Sequence, residues 1–150
     1  MKLRKILFST DFSTCSDAAL HMATSLARDA GATLVIVHVE EPPMVYGYGA
    51  AYYGALDPGV EQQREMLERL VPDDPEVPTE HRLIQGAPAD AIVRVADEES
   101  VDLIVMGTHG RTGITRVLMG SVAEDVVRHA HCPVLTFKQP HGQPPEKREE

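Results

Sequence analysis

Short runs of apolar residues alternate along the chain with longer stretches in which apolar positions recur at helical spacing. The short runs predict five β-strands, at residues 5–9, 33–39, 81–85, 103–106 and 133–137. The longer stretches predict a helix that follows Ser13 or Thr14 and stops at Gly31, and helices over about 59–71, 88–99 and 121–130. Strands that alternate with helices are typical of a parallel sheet covered on both faces, so the pattern predicts a five-stranded, doubly wound, Rossmann-like α/β fold.

Two stretches do not follow this alternation. Residues 42–59 contain several glycines and all four tyrosines, which predicts a long loop. Residues 139–150 carry three prolines and five charges without apolar periodicity, which predicts a disordered tail. We therefore expect one domain over residues 1–138.

The charge balance argues against several classes of partner. The chain has 14 basic and 23 acidic residues and a net charge of −9, which disfavours nucleic acid and anionic membranes. No apolar stretch has the length of a membrane span, and the run at residues 6–8 is too short for a signal-peptide core. Two cysteines are too few for a disulfide framework. The sequence predicts a cytoplasmic protein with reduced thiols.

One segment departs from the acidic character of the chain. Residues 103–123 contain no Asp or Glu, and the predicted fourth strand there leads into Gly107 and Gly110, with Gly120 and Ser121 before the last helix. Glycines between a buried strand and a helix N-terminus expose backbone N–H groups, which bind phosphate. Each glycine taken singly also fits a turn or a cap, and Ser121 with Glu124 matches a capping box.

Two common nucleotide-binding motifs are absent. A Walker loop has a Lys directly before its Ser or Thr, but Gly120 precedes Ser121. A dinucleotide-binding fold has glycines after its first strand, but residues 9–13 contain none. The pattern therefore indicates a phosphate site outside the kinase-like and NAD-binding classes.

Three further residues are candidates for the same site. Asp11 follows the first strand at the carboxyl edge of the sheet, where it can bind a ribose or a phosphate-bound magnesium ion, or serve as a turn residue. Val39, at the end of the second strand, offers backbone groups to the edge of a base. Arg111 either clamps phosphates or faces solvent.

The sequence resembles the universal stress protein (UspA) family over residues 1–138. The similarity lies in residues 6–13 (ILFSTDFS), 37–39 (VHV), 105–110 (VMGTHG), 120–124 (GSVAE) and 131–134 (HCPV). It implies strand order 3-2-1-4-5, with the topological switch point between strands 1 and 4. It also implies the ATP-binding branch, because all three glycines and Ser121 are in place.

The resemblance implies a role for each matching residue. Thr10, Asp11 and Val39 are expected at the adenosine part of the nucleotide. Met106 and Gly107 are expected at the sugar and its nearby phosphate. The phosphates are expected at Gly110, Gly120, Ser121 and Val122. The resemblance further implies a homodimer in which the last strand, residues 134–137, pairs with its copy; the alternative is an edge shielded by the tail.

These observations predict a cytoplasmic module that holds ATP, with Mg²⁺ bound to the phosphates, and that is not a dedicated enzyme. No catalytic residue and no metal ligand set is assigned, because the site has neither an obvious general base nor a Lys that stabilises transferred charge. Two alternatives stay open: a slow ATP hydrolase that uses Asp11 and His109, and an interaction module that works without nucleotide.

Overall fold

A computed structural model describes residues 1–41, 58–108 and 119–138 of the chain. The elements in chain order are β1 (Lys5–Ser9), α1 (Thr14–Ala30), β2 (Thr33–Glu40), α2 (Pro58–Arg69), β3 (Thr79–Gln85), α3 (Pro88–Glu98), β4 (Leu103–Gly107), α4 (Ser121–His129) and β5 (Val134–Phe137). The strands form one parallel sheet of order β3-β2-β1-β4-β5, which confirms the predicted fold and strand order. Residues 42–57 of the predicted 42–59 loop and the predicted tail at 139–150 lie outside the described residues, whereas residues 58 and 59 belong to α2.

The central strands are apolar on both faces because helices cover both. Alternate residues of β1 point to opposite sides, so Phe8 packs with Ile36 in one core and Leu7 packs with Val35 in the other. The first core is closed by α1 and α2, and the second by α3 and α4. This two-sided burial fixes the register of the strands and so positions the loops at their carboxyl ends.

The first helix ends where the sequence predicted. Gly31 adopts a left-handed conformation (φ 66°), and its N–H group donates to backbone carbonyls of the last turn of α1. Ser13 is the N-cap residue by backbone geometry, although its side chain makes no capping hydrogen bond. None of the helices in the described ranges is long and apolar enough to cross a membrane.

Candidate functional site

The sheet has its switch point at β1. Ser9, the last residue of β1, pairs with Val37 on one side and with Met106 on the other. The chain then leaves β1 for a helix on one face and leaves β4 for a helix on the opposite face. This divergence opens a crevice above the carboxyl ends of the strands, where open α/β sheets bind ligands. A cavity of about 580 Å³ lies there.

Most of the residues predicted for the site line this cavity. The eight that do are Thr10, Asp11, Val39, Met106, Gly107, Gly120, Ser121 and Val122. The other two, Gly110 and Arg111, lie outside the described residues, as does His109. Residues separated by more than one hundred positions in sequence therefore line one cavity.

The β1 wall is held by a compact turn. The Asp11 carboxylate oxygen Oδ1 accepts hydrogen bonds from the Ser13 N–H and the Ser16 hydroxyl, both at 2.9 Å. Phe12 between them has a positive φ of 64°, and its N–H donates to Thr10 Oγ1 at 3.0 Å. A bulky residue in the left-handed region is strained, and such strain concentrates at binding sites. Asp11 thus fulfils the predicted turn role while remaining at the cavity wall.

A buried histidine joins the ends of β1 and β2. His38 is 7% exposed, and its Nδ1 lies 2.8 Å from the Thr10 carbonyl oxygen. Because a carbonyl oxygen only accepts, Nδ1 carries the proton of this hydrogen bond. The His38 ring also packs against Phe12, with centroids 4.3 Å apart. The strained turn at Phe12 is therefore fixed from the β2 side.

The β4 wall is tied both to β5 and to the start of α4. The N–H and the hydroxyl of Thr108 donate to the Phe137 carbonyl oxygen, at 2.7 and 2.9 Å. The Thr108 carbonyl oxygen accepts from the Gly120 N–H at 2.6 Å. Thr108 is 2% exposed, so these bonds are shielded from water. They hold the N-terminus of α4 beside the end of β4.

The predicted capping box at Ser121 is wrong. Gly120 is the N-cap of α4, and its carbonyl oxygen accepts the first helical hydrogen bond, from Glu124 at 3.0 Å. Ser121 is therefore the first helical residue, one position later than a capping serine. The Gly120 N–H is also committed to Thr108, so this amide is not one of the phosphate donors.

The first turn of α4 nevertheless presents donors to the cavity. Ser121, Val122 and Ala123 all line it, and the helix provides no internal acceptor for their amides. The positive end of the helix dipole lies at the same place. N–H groups at a helix N-terminus without an acceptor inside the helix are suited to binding an anion.

The opposite end of the cavity is acidic. Glu40, at the end of β2, is 5% exposed and lines the cavity together with Glu41 and Gln63 of α2. Within the described ranges, no Lys, Arg or His nitrogen lies within ion-pair distance of the Glu40 carboxylate. The cavity therefore runs from backbone N–H donors at α4 to oxygen acceptors at β2. In that same part of the chain, no group of three His, Cys, Asp or Glu residues is placed to hold a metal ion.

Gln63 was not predicted from the sequence. It lies on α2 one turn before the buried Leu67, at a position where the apolar stripe of the helix calls for a hydrophobic residue. That break in the stripe is the signal that points to it. Whether this polar residue has a functional role depends on the cavity that it lines, which the sequence alone does not show.

A doubly wound α/β sheet with a polarised crevice at the β1/β4 switch point defines a ligand-binding protein of the nucleotide-binding type. The sequence profile of the Universal stress protein family matches residues 2–138. The universal stress protein MJ0531 of Methanocaldococcus jannaschii is 36% identical over 91% of this chain and 83% of its own length. The chain belongs to the universal stress protein family.

Solved structures of the family share this fold. The universal stress protein from Archaeoglobus fulgidus in complex with dAMP has a TM-score of 0.68 and 28% identity, over 92% of this chain and 100% of that chain. A universal stress protein in complex with cAMP has a TM-score of 0.61 and 27% identity, over 91% of this chain and 97% of that one. Both of these related proteins hold an adenine nucleotide.

Proposed function

We propose that this protein binds ATP in the crevice between the β1 and β4 loops and acts as a nucleotide-responsive module, not as a dedicated enzyme. The observation that carries the proposal is the first turn of α4, where Ser121, Val122 and Ala123, whose amides have no acceptor within the helix, line the same cavity as Gly107. Amides at a helix N-terminus bind phosphate without a charged side chain.

The polarity of the cavity sets the direction of the nucleotide. Phosphates belong at the α4 end, because Glu40 and Glu41 repel them from the β2 end. The sugar then lies above Met106 and Gly107, and the base lies above Thr10 and Val39. The adenine nucleotides held by two structural relatives support this choice of ligand.

Magnesium enters this proposal as a companion of the phosphates. Mg²⁺ in nucleotide sites uses one or two carboxylates together with phosphate oxygens and water, so it needs no cluster of protein ligands. Asp11 is the carboxylate that fits, because it lies at the cavity wall on the β1 side. Its two hydrogen bonds to Ser13 and Ser16 hold it in a fixed orientation.

Titration calorimetry with ATP, ADP and AMP, with and without Mg²⁺, tests the binding. Gly120→Val adds a branched side chain to the cavity wall at a backbone conformation (φ −68°, ψ 161°) that valine accepts. We expect it to weaken ATP binding at least tenfold, a loss of about 1.4 kcal/mol. Following ATP during the titration distinguishes holding from turnover, and steady hydrolysis that copurifies with the folded protein contradicts a pure binding module.

The matched control is Ala87→Val. Ala87 is the N-cap of α3, with a similar extended backbone (φ −71°, ψ 127°), and it does not line the cavity. Both variants place a valine at a helix N-cap, but only Gly120→Val replaces a favoured capping residue, so the stability of both variants is measured alongside their ATP affinity. Equal ATP affinity in the two valine variants, or no nucleotide binding by the wild type, refutes the proposed function.

We further propose that the protein is a homodimer joined through β5. This strand is an edge of the sheet in the described part of the chain, bonded only to β4. The carbonyl oxygens of Pro133 and Phe137 accept hydrogen bonds from Ile104 in β4 and from Thr108 just after it. Backbone groups of successive strand residues point alternately to the two sides, so the N–H and carbonyl of Thr136 point away from β4. An antiparallel copy of β5 would satisfy these groups.

Thr136→Pro tests the dimer. Proline removes the outward N–H without removing a bond to β4, and edge strands tolerate it. We expect a folded monomer by sedimentation velocity, while Thr136→Val, which keeps the N–H, stays dimeric. A dimer that survives Thr136→Pro contradicts pairing through this strand.

The cytoplasm is the compartment we propose for this role in the stress response. The support for the stress role is the match to the universal stress protein family over residues 2–138. Fractionation of cells that express the tagged protein tests the location, and recovery outside the cytoplasmic fraction contradicts it.

A further inference from the structure

Gln63 lies where α2 packs against the sheet. Within α2, Val60 and Gln63 are partly buried, and Leu67 is 2% exposed in the core beneath α1 and α2. Leu70, which directly follows the helix, packs against the same core. Gln63 therefore occupies a core-facing position one turn before Leu67. Its side chain lines the cavity instead of joining the core.

The amide oxygen of Gln63 lacks a partner. Gln63 Oε1 is shielded from solvent and has no hydrogen-bond partner in the part of the chain that the structure describes. Buried polar atoms are almost always hydrogen-bonded, and an exception calls for an explanation. Gln63 itself lines the cavity, where a rotation of its side chain would bring this oxygen to a ligand donor.

Glu40 supplies a second acceptor at the same end of the cavity. The residue is 5% exposed, and the Gln85 amide nitrogen lies 3.4 Å from its carboxylate oxygen Oε2, a long and weak contact. The Glu40 backbone is held in place, because its carbonyl oxygen accepts from the Gly86 N–H at 3.1 Å. A ligand at this end of the cavity therefore meets two residues whose side chains carry oxygen acceptors.

The part of the ligand that reaches them follows from the spacing of the sheet. β4 and β2 flank β1, so their ends are separated by two strand spacings, roughly 10 Å. A mononucleotide with its phosphate on α4 extends across this distance, sugar first and base second. The far edge of its base then lies at the end of β2, near Gln63 and Glu40.

We propose that Gln63 is a base-selecting residue, whose amide oxygen accepts a hydrogen bond from the exocyclic 6-amino group of adenine, with the Glu40 carboxylate as the neighbouring acceptor. This inference rests on the proposed nucleotide site. A 6-oxo purine bound in the same orientation places a carbonyl oxygen against these two acceptors. Gln63 and Glu40 therefore select adenine over hypoxanthine and guanine.

A cycle of paired changes in protein and ligand tests this role by calorimetry. The ligands are AMP and purine riboside 5′-monophosphate, which differ only in the 6-amino group. The proteins are the wild type, Gln63→Met and Gln62→Met. Methionine is unbranched like glutamine and has a similar helix propensity, so α2 is preserved. Gln62 is exposed and adjacent, which makes it the matched control.

We expect the wild type and Gln62→Met to prefer AMP over the analogue lacking the amino group by roughly tenfold, the size of one net hydrogen bond. Gln63→Met should bind both ligands with similar affinity. IMP and GMP should bind the wild type at least tenfold more weakly than AMP.

The possible outcomes distinguish a failure of this inference from a failure of the proposed function on which it rests. If the wild type binds none of these nucleotides, nor ATP, the proposed function fails and the inference fails with it. If the wild type binds AMP but does not distinguish it from the analogue, or prefers GMP, only the inference is overturned. A full AMP preference retained in Gln63→Met, or in Gln63→Leu as a second apolar variant, also overturns it.

Discussion

Replacing Gln63 with methionine should stabilise the ligand-free protein. The substitution removes a shielded amide oxygen that has no partner in the described part of the chain, and it extends the apolar stripe that ends at Leu67. Leaving a buried acceptor unsatisfied destabilises a fold by about 1–3 kcal/mol. Glutamine and methionine have similar helix propensities, so the helical contribution cancels.

We expect a net gain of about 1–2 kcal/mol in the free energy of unfolding, because only part of that penalty is recovered when methionine repacks the wall. For a chain of this size, 1 kcal/mol shifts Tm by roughly 2–4 °C. Urea denaturation and thermal unfolding of the ligand-free protein measure the effect. Gln62→Met, at an exposed position, should stay within about 0.5 kcal/mol of the wild type.

A loss of 1 kcal/mol or more in Gln63→Met, with Gln62→Met unchanged, refutes this reasoning, because it means that the amide already has a partner in the ligand-free protein. A gain in stability together with a loss of AMP preference has a different meaning. It identifies Gln63 as a position where the fold gives up stability for binding.

Two further substitutions test how the loops are held. Arg4 and Lys5 donate backbone N–H groups to Asp102 and lower the pKa of its carboxyl below the ordinary 3.8. The stability that these bonds give to the folded protein is therefore present above pH 3.8 and is lost as the pH falls through the folded-state pKa. In urea denaturation, Asp102→Asn should therefore be less stable by about 1 kcal/mol at pH 7, and the difference should shrink below about pH 4; a constant difference contradicts this cause. Thr108→Val removes the hydroxyl that donates to the Phe137 carbonyl but keeps the N–H bond, so we expect about 1 kcal/mol of lost stability in the same assay, and no loss would show that the N–H bond alone holds β5.

The fold could be predicted from the sequence because its three central strands are short and apolar on both sides. Residues 34–37 and 103–106 are buried without interruption, so a simple apolar run identified each strand within two residues of its ends. Gly31 marked the end of α1 because a left-handed cap favours glycine. The strand positions and the end of α1 were predictable because neighbouring residues in the sequence determine them.

Eight of the ten residues predicted for the site line one cavity, but the hydrogen bonds around them were not predictable from the sequence. The motif around Ser121 matches a capping box, yet the cap lies at Gly120, because Thr108 takes the Gly120 N–H from the end of β4. That bond joins parts of the chain that are distant in sequence. The turn role and the wall position of Asp11 both hold, since its carboxylate bonds to Ser13 and Ser16 at the edge of the cavity.

The position of Gln63 at the cavity could not be predicted from the sequence, for a different reason. One polar residue in the apolar stripe of a helix does not change the prediction of the helix, and surface helices carry many glutamines. What distinguishes Gln63 from Gln62 is the cavity that β2 and β4 create beneath α2. That cavity exists only once five strands from the whole chain are in register.

The two ends of the cavity are built by different means, and this difference bears on how the protein distinguishes its ligands. In the proposed nucleotide site, the α4 end uses the backbone amides of a helix N-terminus that the Gly120–Thr108 bond holds in place, so it recognises phosphate in any nucleotide and tolerates changes of side chain. The β2 end uses side chains, Gln63 and Glu40, which a single substitution alters. Phosphate affinity is thus a property of the fold, whereas base preference is a property of particular residues. Relatives with the same sheet and a different residue at the position of Gln63 should therefore retain phosphate binding while differing in the base they select.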